Sequence, residues 1–137
     1  MRAALALALA IGLALPVPAP ASAGLPPLSE NEHVNSRLLA AAIGDQIRRN
    51  CPTISERRWH VRAEALRLLN HALGLGYDRA TIEAYINDPA ARASMAGLRD
   101  AWLARNGVVA GDPDSYCRIG LREIAAGTYL GSLMRVD

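Results

Sequence analysis

Lysine is absent from this chain, so all fifteen of its basic side chains are arginines. Against them stand 13 acids, for a formal net charge of +2. A balance that close to neutral argues against nucleic acid, which asks for a basic face or stripe, and it does not suggest a membrane-surface protein. Cysteine is nearly absent too: only Cys51 and Cys117 occur, and no C-x-x-C spacing of a redox pair. There is no G-x-S-x-G nucleophile turn, and no glycine-rich phosphate loop behind a strand. No alternating apolar–polar run reads as a strand, no repeat is visible, and no low-complexity tract follows the first two dozen residues. Metalloprotease-type ligation, with two histidines four apart and a glutamate between, is missing as well. No metal and no cofactor is expected.

What is present begins with an export signal. Met1-Arg2 carries positive charge, Ala3 to Leu15 is apolar, and a proline-rich stretch leads to the small triplet Ala21-Ser22-Ala23. That order is the signature of a secretory signal peptide, with the cut expected after Ala23. The apolar run of 13 residues falls short of the ~20 that span a bilayer as a helix, which disfavours a retained anchor. No cysteine stands at the cut, so lipid attachment is not suggested. Residues 1–23 are therefore read as signal peptide and residues 24–137 as a single helical domain, 137 − 23 = 114 residues long, enough for one modest core. Its net charge falls to about +1, and no membrane insertion is expected after cleavage.

Five helices are expected. Two prolines keep residues 24–28 extended, and Ser29 with Glu32 forms a capping box that opens helix one, which runs to about Asn50 with Leu39, Ile43 and Ile47 as its apolar line. A second capping box, Thr53 with Glu56, opens helix two. Its Arg58 to Leu75 stretch is apolar over about two-thirds of the circumference, at ~100° per residue, because Trp59, Ala63, Leu66, Leu69 and Leu73 adjoin Val61, Ala65, Leu68, Ala72 and Leu75. A helix that apolar is expected to be the central post. Asp78 caps helix three, Arg79 to Asn87, with Ile82, Tyr85 and Ile86 as its buried edge. Asp88-Pro89 opens helix four, which runs to Asn106 with Met95, Leu98 and Trp102 inward, and Asp112-Pro113 opens helix five, which runs to about Met134. The fold class is all-α: an irregular bundle of about five helices.

Both cysteines lie in the exported part, where an even pair is most simply a disulfide. Cys51–Cys117 would close a 66-residue loop (117 − 51), worth about 4 kcal/mol in the chain-entropy view, and tie the end of helix one to the start of helix five. Gly120, Gly127 and Gly131 project close together on helix five, which suggests close approach of another backbone, from helix one or two. Glu123 falls among apolar residues of helix five, and Arg62 within the apolar arc of helix two. Buried charges are paired, so Glu123 and Arg62 are expected to form an ion pair between these helices, and Glu123 is the one candidate for a perturbed carboxylate in a cleft. His60, Glu64, Arg67 and His71 form a solvated stripe. His60 and His71 stand about 16 Å apart along the axis, too far for one metal. His33 and Asn35 lie near the start of helix one. Asp112-Pro113-Asp114-Ser115 lacks the spaced oxygens of a calcium loop and is better explained as a helix cap.

Several motifs occur together: LPPL at Leu25 to Leu28, HVN at His33 to Asn35, IRRNCP at Ile47 to Pro52, GY at Gly76-Tyr77, GDPDSYC ending at Cys117 and GSL at Gly131 to Leu133. In these the chain resembles a group of small exported proteins of alphaproteobacteria known only as a domain of unknown function. The resemblance spans nearly all of Gly24 to Met134, and its cysteine-centred motifs are the most specific. It implies an exported, mostly helical protein and transfers no activity. It also implies a gene neighbourhood with respiratory NADH dehydrogenase, hence an accessory part on the periplasmic face of a membrane or respiratory complex. The expected function is non-catalytic: a periplasmic protein that binds another periplasmic or membrane protein. The alternatives are an inhibitor or immunity-type protein that blocks a periplasmic enzyme, and a small enzyme using Glu123.

Overall fold

A computed structural model of the chain describes Pro16 and residues 24–137. Apart from Pro16, the expected signal peptide lies outside the described residues. The fold is all-α, with one disulfide. Six α-helices are present among the described residues: α1 (Glu32–Asn50), α2 (Arg58–Gly74), α3 (Arg79–Asn87), α4 (Pro89–Arg105), α5 (Pro113–Ala126) and α6 (Tyr129–Ser132). Two three-residue strands, β1 (Ile54–Glu56) and β2 (Met134–Val136), pair antiparallel, with Ile54 opposite Val136 and Glu56 opposite Met134.

The central post is α1, not α2. One side of α1 supplies Ile43 and Ile47 to a core completed by Ile54, Leu103, Tyr116, Ile119, Leu130 and Met134. Another part supplies Val34 to a second cluster with Leu28, Ala72, Tyr77 and Ile82. Leu39 packs on the first cluster and Leu38 on the second, so the wider apolar line serves both. Ile47 is fully buried. By contrast, α2 buries only Ala72, and Leu68, Leu69 and Leu73 are packed at its inner edge. An apolar circumference shows how much of a helix can be buried, not how much is.

Helix starts depart from the expected capping boxes at two points. Ser29 lies within a 3-10 turn, Leu28–Glu30, and the true cap of α1 is Asn31, whose Oδ1 accepts from the Val34 N–H at 2.9 Å. The turn is fixed from the side: Asn35 Nδ2 donates to the carbonyls of Leu28 and Asn31, and its Oδ1 accepts from the Tyr85 hydroxyl of α3. Thr53 does not cap α2, because the residues after it are drawn into β1. Thr53 C=O accepts from the Asp137 N–H, and Arg57 N–H donates to Leu133 C=O, so the two ends of the strand pair are closed by backbone bonds. Asp78, Asp88 and Asp112 cap α3, α4 and α5 as expected.

Helix five is broken. It ends at Ala126; Gly127 takes a left-handed conformation (φ +65°), and Thr128 caps α6 by accepting from Gly131 N–H at 3.0 Å. The chain then turns back along itself. A Cβ on Gly131 would collide with the Glu123 carbonyl in the last turn of α5, and one on Gly120 would lie 2.9 Å from Ile47 Cγ2 and against Ile54. Gly120 thus admits α1 and β1, Gly131 admits the chain's own preceding helix, and Gly127 serves by its φ, since a Cβ there meets nothing. Cys51 and Cys117 are bonded, with their Cα atoms 5.1 Å apart, and the bridge joins the end of α1 to the first turn of α5.

Candidate interaction surface

The first turn of α2 carries the most exposed large apolar side chain among the described residues. Trp59 is 81% exposed and Leu66 57% exposed. With Arg62 between them they fall at i, i+3 and i+7, one stripe about 10 Å long. The Arg62 guanidinium lies over the Trp59 ring, 5.6 Å from its centroid, a cation–π arrangement that orients the indole without covering it. Beside it opens a cleft of about 300 Å³ lined by Glu56, Arg58, Trp59, Arg62 and Arg135. Three arginines and one glutamate thus line a cleft beside an indole. Local sequence explains the placement: β1 ends in Glu56, α2 starts two residues later, and Met134 opposite Glu56 brings Arg135 of β2 to the same end.

Glu123 and Arg62 are not brought together. Arg62 is exposed on the outer side of α2, whereas the Glu123 side chain is 12% exposed at the α5–α6 junction. Its Oε2 accepts from the Thr128 hydroxyl at 2.7 Å and Oε1 lies 3.4 Å from Arg122 Nη2. The misplacement follows from the break at Gly127, which supplies a nearby partner that a continuous helix would have carried away. Glu123 lines a pocket of about 330 Å³ with Ser36, Arg37, Trp102, Thr128 and Tyr129, and no second acid and no histidine is among the lining residues. Glu123 braces the cap of α6: it holds Thr128, and Thr128 holds Gly131.

The polar stripe of α2 is only partly solvated. Glu64 Oε1 pairs with Arg67, and His60 Nε2 stands 3.9 Å from the same oxygen. Glu64 also reaches Tyr129, over whose ring the Arg37 guanidinium sits at 3.8 Å. These three side chains tie α1, α2 and α6 together. Burial chiefly, and then the Glu64 charge, raise the Tyr129 phenol above its ordinary value, with Arg37 acting in the opposite direction. His71 packs against His33 with the rings tilted by 47° and their centroids 4.4 Å apart, a contact between the C-terminal part of α2 and the start of α1. Among the described residues no group of three His, Cys, Asp or Glu side chains is arranged to hold a metal. Asp112 is spent on capping: it accepts from Asp114 N–H at 3.2 Å, and its carbonyl accepts from the buried Ser115 hydroxyl.

Sequence reasoning placed Trp59 in the interior. The opposing signal was local: Arg57-Arg58 before the tryptophan and Arg62 one turn on make its flanks the most cationic part of α2, and a core-facing indole is not ringed in this way.

The architecture is that of a small disulfide-tied helical domain with one unburied aromatic face. The chain belongs to a family of unknown function, DUF5333, whose model matches residues 26–135. No curated protein matches it. No solved structure matches it either.

Proposed function

We propose that this is a non-catalytic periplasmic protein, exported by a signal peptide cut after Ala23, which binds another periplasmic or membrane protein through the outer face of α2. The observation that carries the reading is Trp59, 81% exposed on a well-formed helix. Tryptophan is rarely left in water, and exposed aromatics flanked by arginine are the residue types that dominate protein–protein contacts. Covering the indole would remove about 150–250 Å² from water, worth about 4–6 kcal/mol at ~25 cal/mol/Å² before the costs of association. Export is supported by the charged, apolar and small-residue order of residues 1–23 and by the disulfide, which suits an oxidising compartment. No helix among the described residues is long and apolar enough to cross a membrane.

The test is a photo-reactive residue at Leu66, with the protein made in its own cell under its own leader. One cross-linked protein of defined mass is expected, recovered from the periplasm or the membrane fraction and lost in Trp59→Ala. Capture no different from that of a probe at Gly97, on the exposed side of α4, would contradict the reading.

A further inference from the structure

We infer that the cleft beside Trp59 receives an acidic segment of the partner protein, carboxylates against Arg58, Arg62 and Arg135 and an apolar side chain against the indole. This rests on α2 being the docking face and adds the chemistry of what docks. The lining of the cleft is net +2, three guanidinium groups against Glu56 (3 − 1). Arg58 and Arg62 have no ion pair among the described residues, and Arg135 meets Asp137 only at 3.8 Å. Arg48 and Arg49 share Asp45, Arg67 has Glu64 and Arg99 has Asp100, whereas Arg37, Arg57, Arg79, Arg92 and Arg105, like Arg58 and Arg62, have no ion pair among the described residues. What sets Arg58 and Arg62 apart is that they line one cleft with a third arginine. Like charges converging on one concavity repel one another, and an incoming carboxylate relieves that repulsion while accepting two parallel N–H donors from a guanidinium fork.

The shape selects a protein segment over a lipid surface. The cleft is concave, with cations on its walls and the indole as one side, and the apolar stripe continues along α2 to Leu66. A single extended or helical segment can meet both at once. A bilayer surface would need apolar side chains projecting past a coplanar ring of cations.

Calorimetry on the intact, oxidised protein tests this with two short synthetic peptides of equal length, one of Asp, Glu and Leu, the other of Asn, Gln and Leu. Individual exposed ion pairs are weak, so several together are expected to give the acidic peptide an advantage of about tenfold. That advantage should shrink as salt is raised and disappear in the double variant Arg58→Glu, Arg62→Glu. Both residues are exposed and make no ion pair that folding depends on, and melting of the variant checks that it is folded. Equal affinity for the two peptides, an advantage that survives the double variant, no heat from the acidic peptide at millimolar concentration, or tighter binding to phosphatidylglycerol vesicles than to the acidic peptide would each overturn the inference. Equal affinity would leave the docking reading itself standing, since that reading is tested separately, by the cross-link from position 66 and by the stability of Trp59→Ala.

Discussion

Gly131 and Gly97 sit in helices and have opposite reasons for being glycine. A methyl on Gly131 would occupy the space of the Glu123 carbonyl, whereas a methyl on Gly97 meets no atom within 4 Å. Gly131→Ala must push α6 off the end of α5 and is expected to cost at least about 1–3 kcal/mol. Gly97→Ala should raise stability by up to about 1 kcal/mol through helix propensity alone. Urea denaturation of the two variants checks the pair. Tyr129 offers a test by pH. Its raised phenol pKa, caused first by burial, means that the folded chain keeps a proton the unfolded chain releases. The associated stability is fully present below the unfolded tyrosine value of about 10 and is lost as pH rises through the folded value. Alkaline unfolding of wild type and Tyr129→Phe is expected to diverge above about pH 10, with the phenylalanine variant falling less steeply.

At the scale of elements, the joint between α5 and α6 depends on a relay from Glu123 to Thr128 to Gly131. Glu123→Gln replaces a charge-assisted bond by a neutral one and should lower stability by about 1 kcal/mol. A double-mutant cycle with Thr128→Ala should show coupling between the two, and none between Glu123→Gln and Arg62→Ala. The sequence made most helix starts legible because Asp-Pro and Asp caps act within one turn: α3 and α4 begin where expected, and α5 begins at Pro113. It hid the strand pair, since three residues carry no periodicity and Ile54 meets Val136 across most of the chain. The break after Ala126 was legible in Gly127-Thr128, a C-terminal glycine followed by an N-cap residue; reading the three glycines as one face obscured it. The order of α1 and α2 in the core was not legible, because both carry enough apolar residues and only packing decides which is surrounded.

For the whole molecule, the Cys51–Cys117 bridge was the feature most readable from composition, since only one pairing exists. It closes a 66-residue loop, so its reduction is expected to remove about 4 kcal/mol, a large share of the ~5–15 kcal/mol that holds a domain of this size together. The urea midpoint with and without reductant measures it. The same bridge and the first core secure α1, α4 and α5, and that frame leaves α2 held by Ala72 and His71 near its C-terminal end and by the Glu64 interaction with Tyr129 midway, on the side away from Trp59. Trp59 in its first turn is thereby presented rather than packed. Truncating Trp59 should accordingly be almost silent in folding and decisive in binding. The deciding measurement is thermal and urea stability of Trp59→Ala beside Ile47→Ala, each paired with cross-linking yield from position 66. Expected are a loss within about 0.5 kcal/mol for Trp59→Ala, a loss of about 2–5 kcal/mol for Ile47→Ala, and disappearance of the cross-link in the tryptophan variant. A Trp59→Ala protein destabilised by the ~3–5 kcal/mol of a core truncation, or one that still cross-links its partner in full, would contradict the assignment of α2 as the docking face.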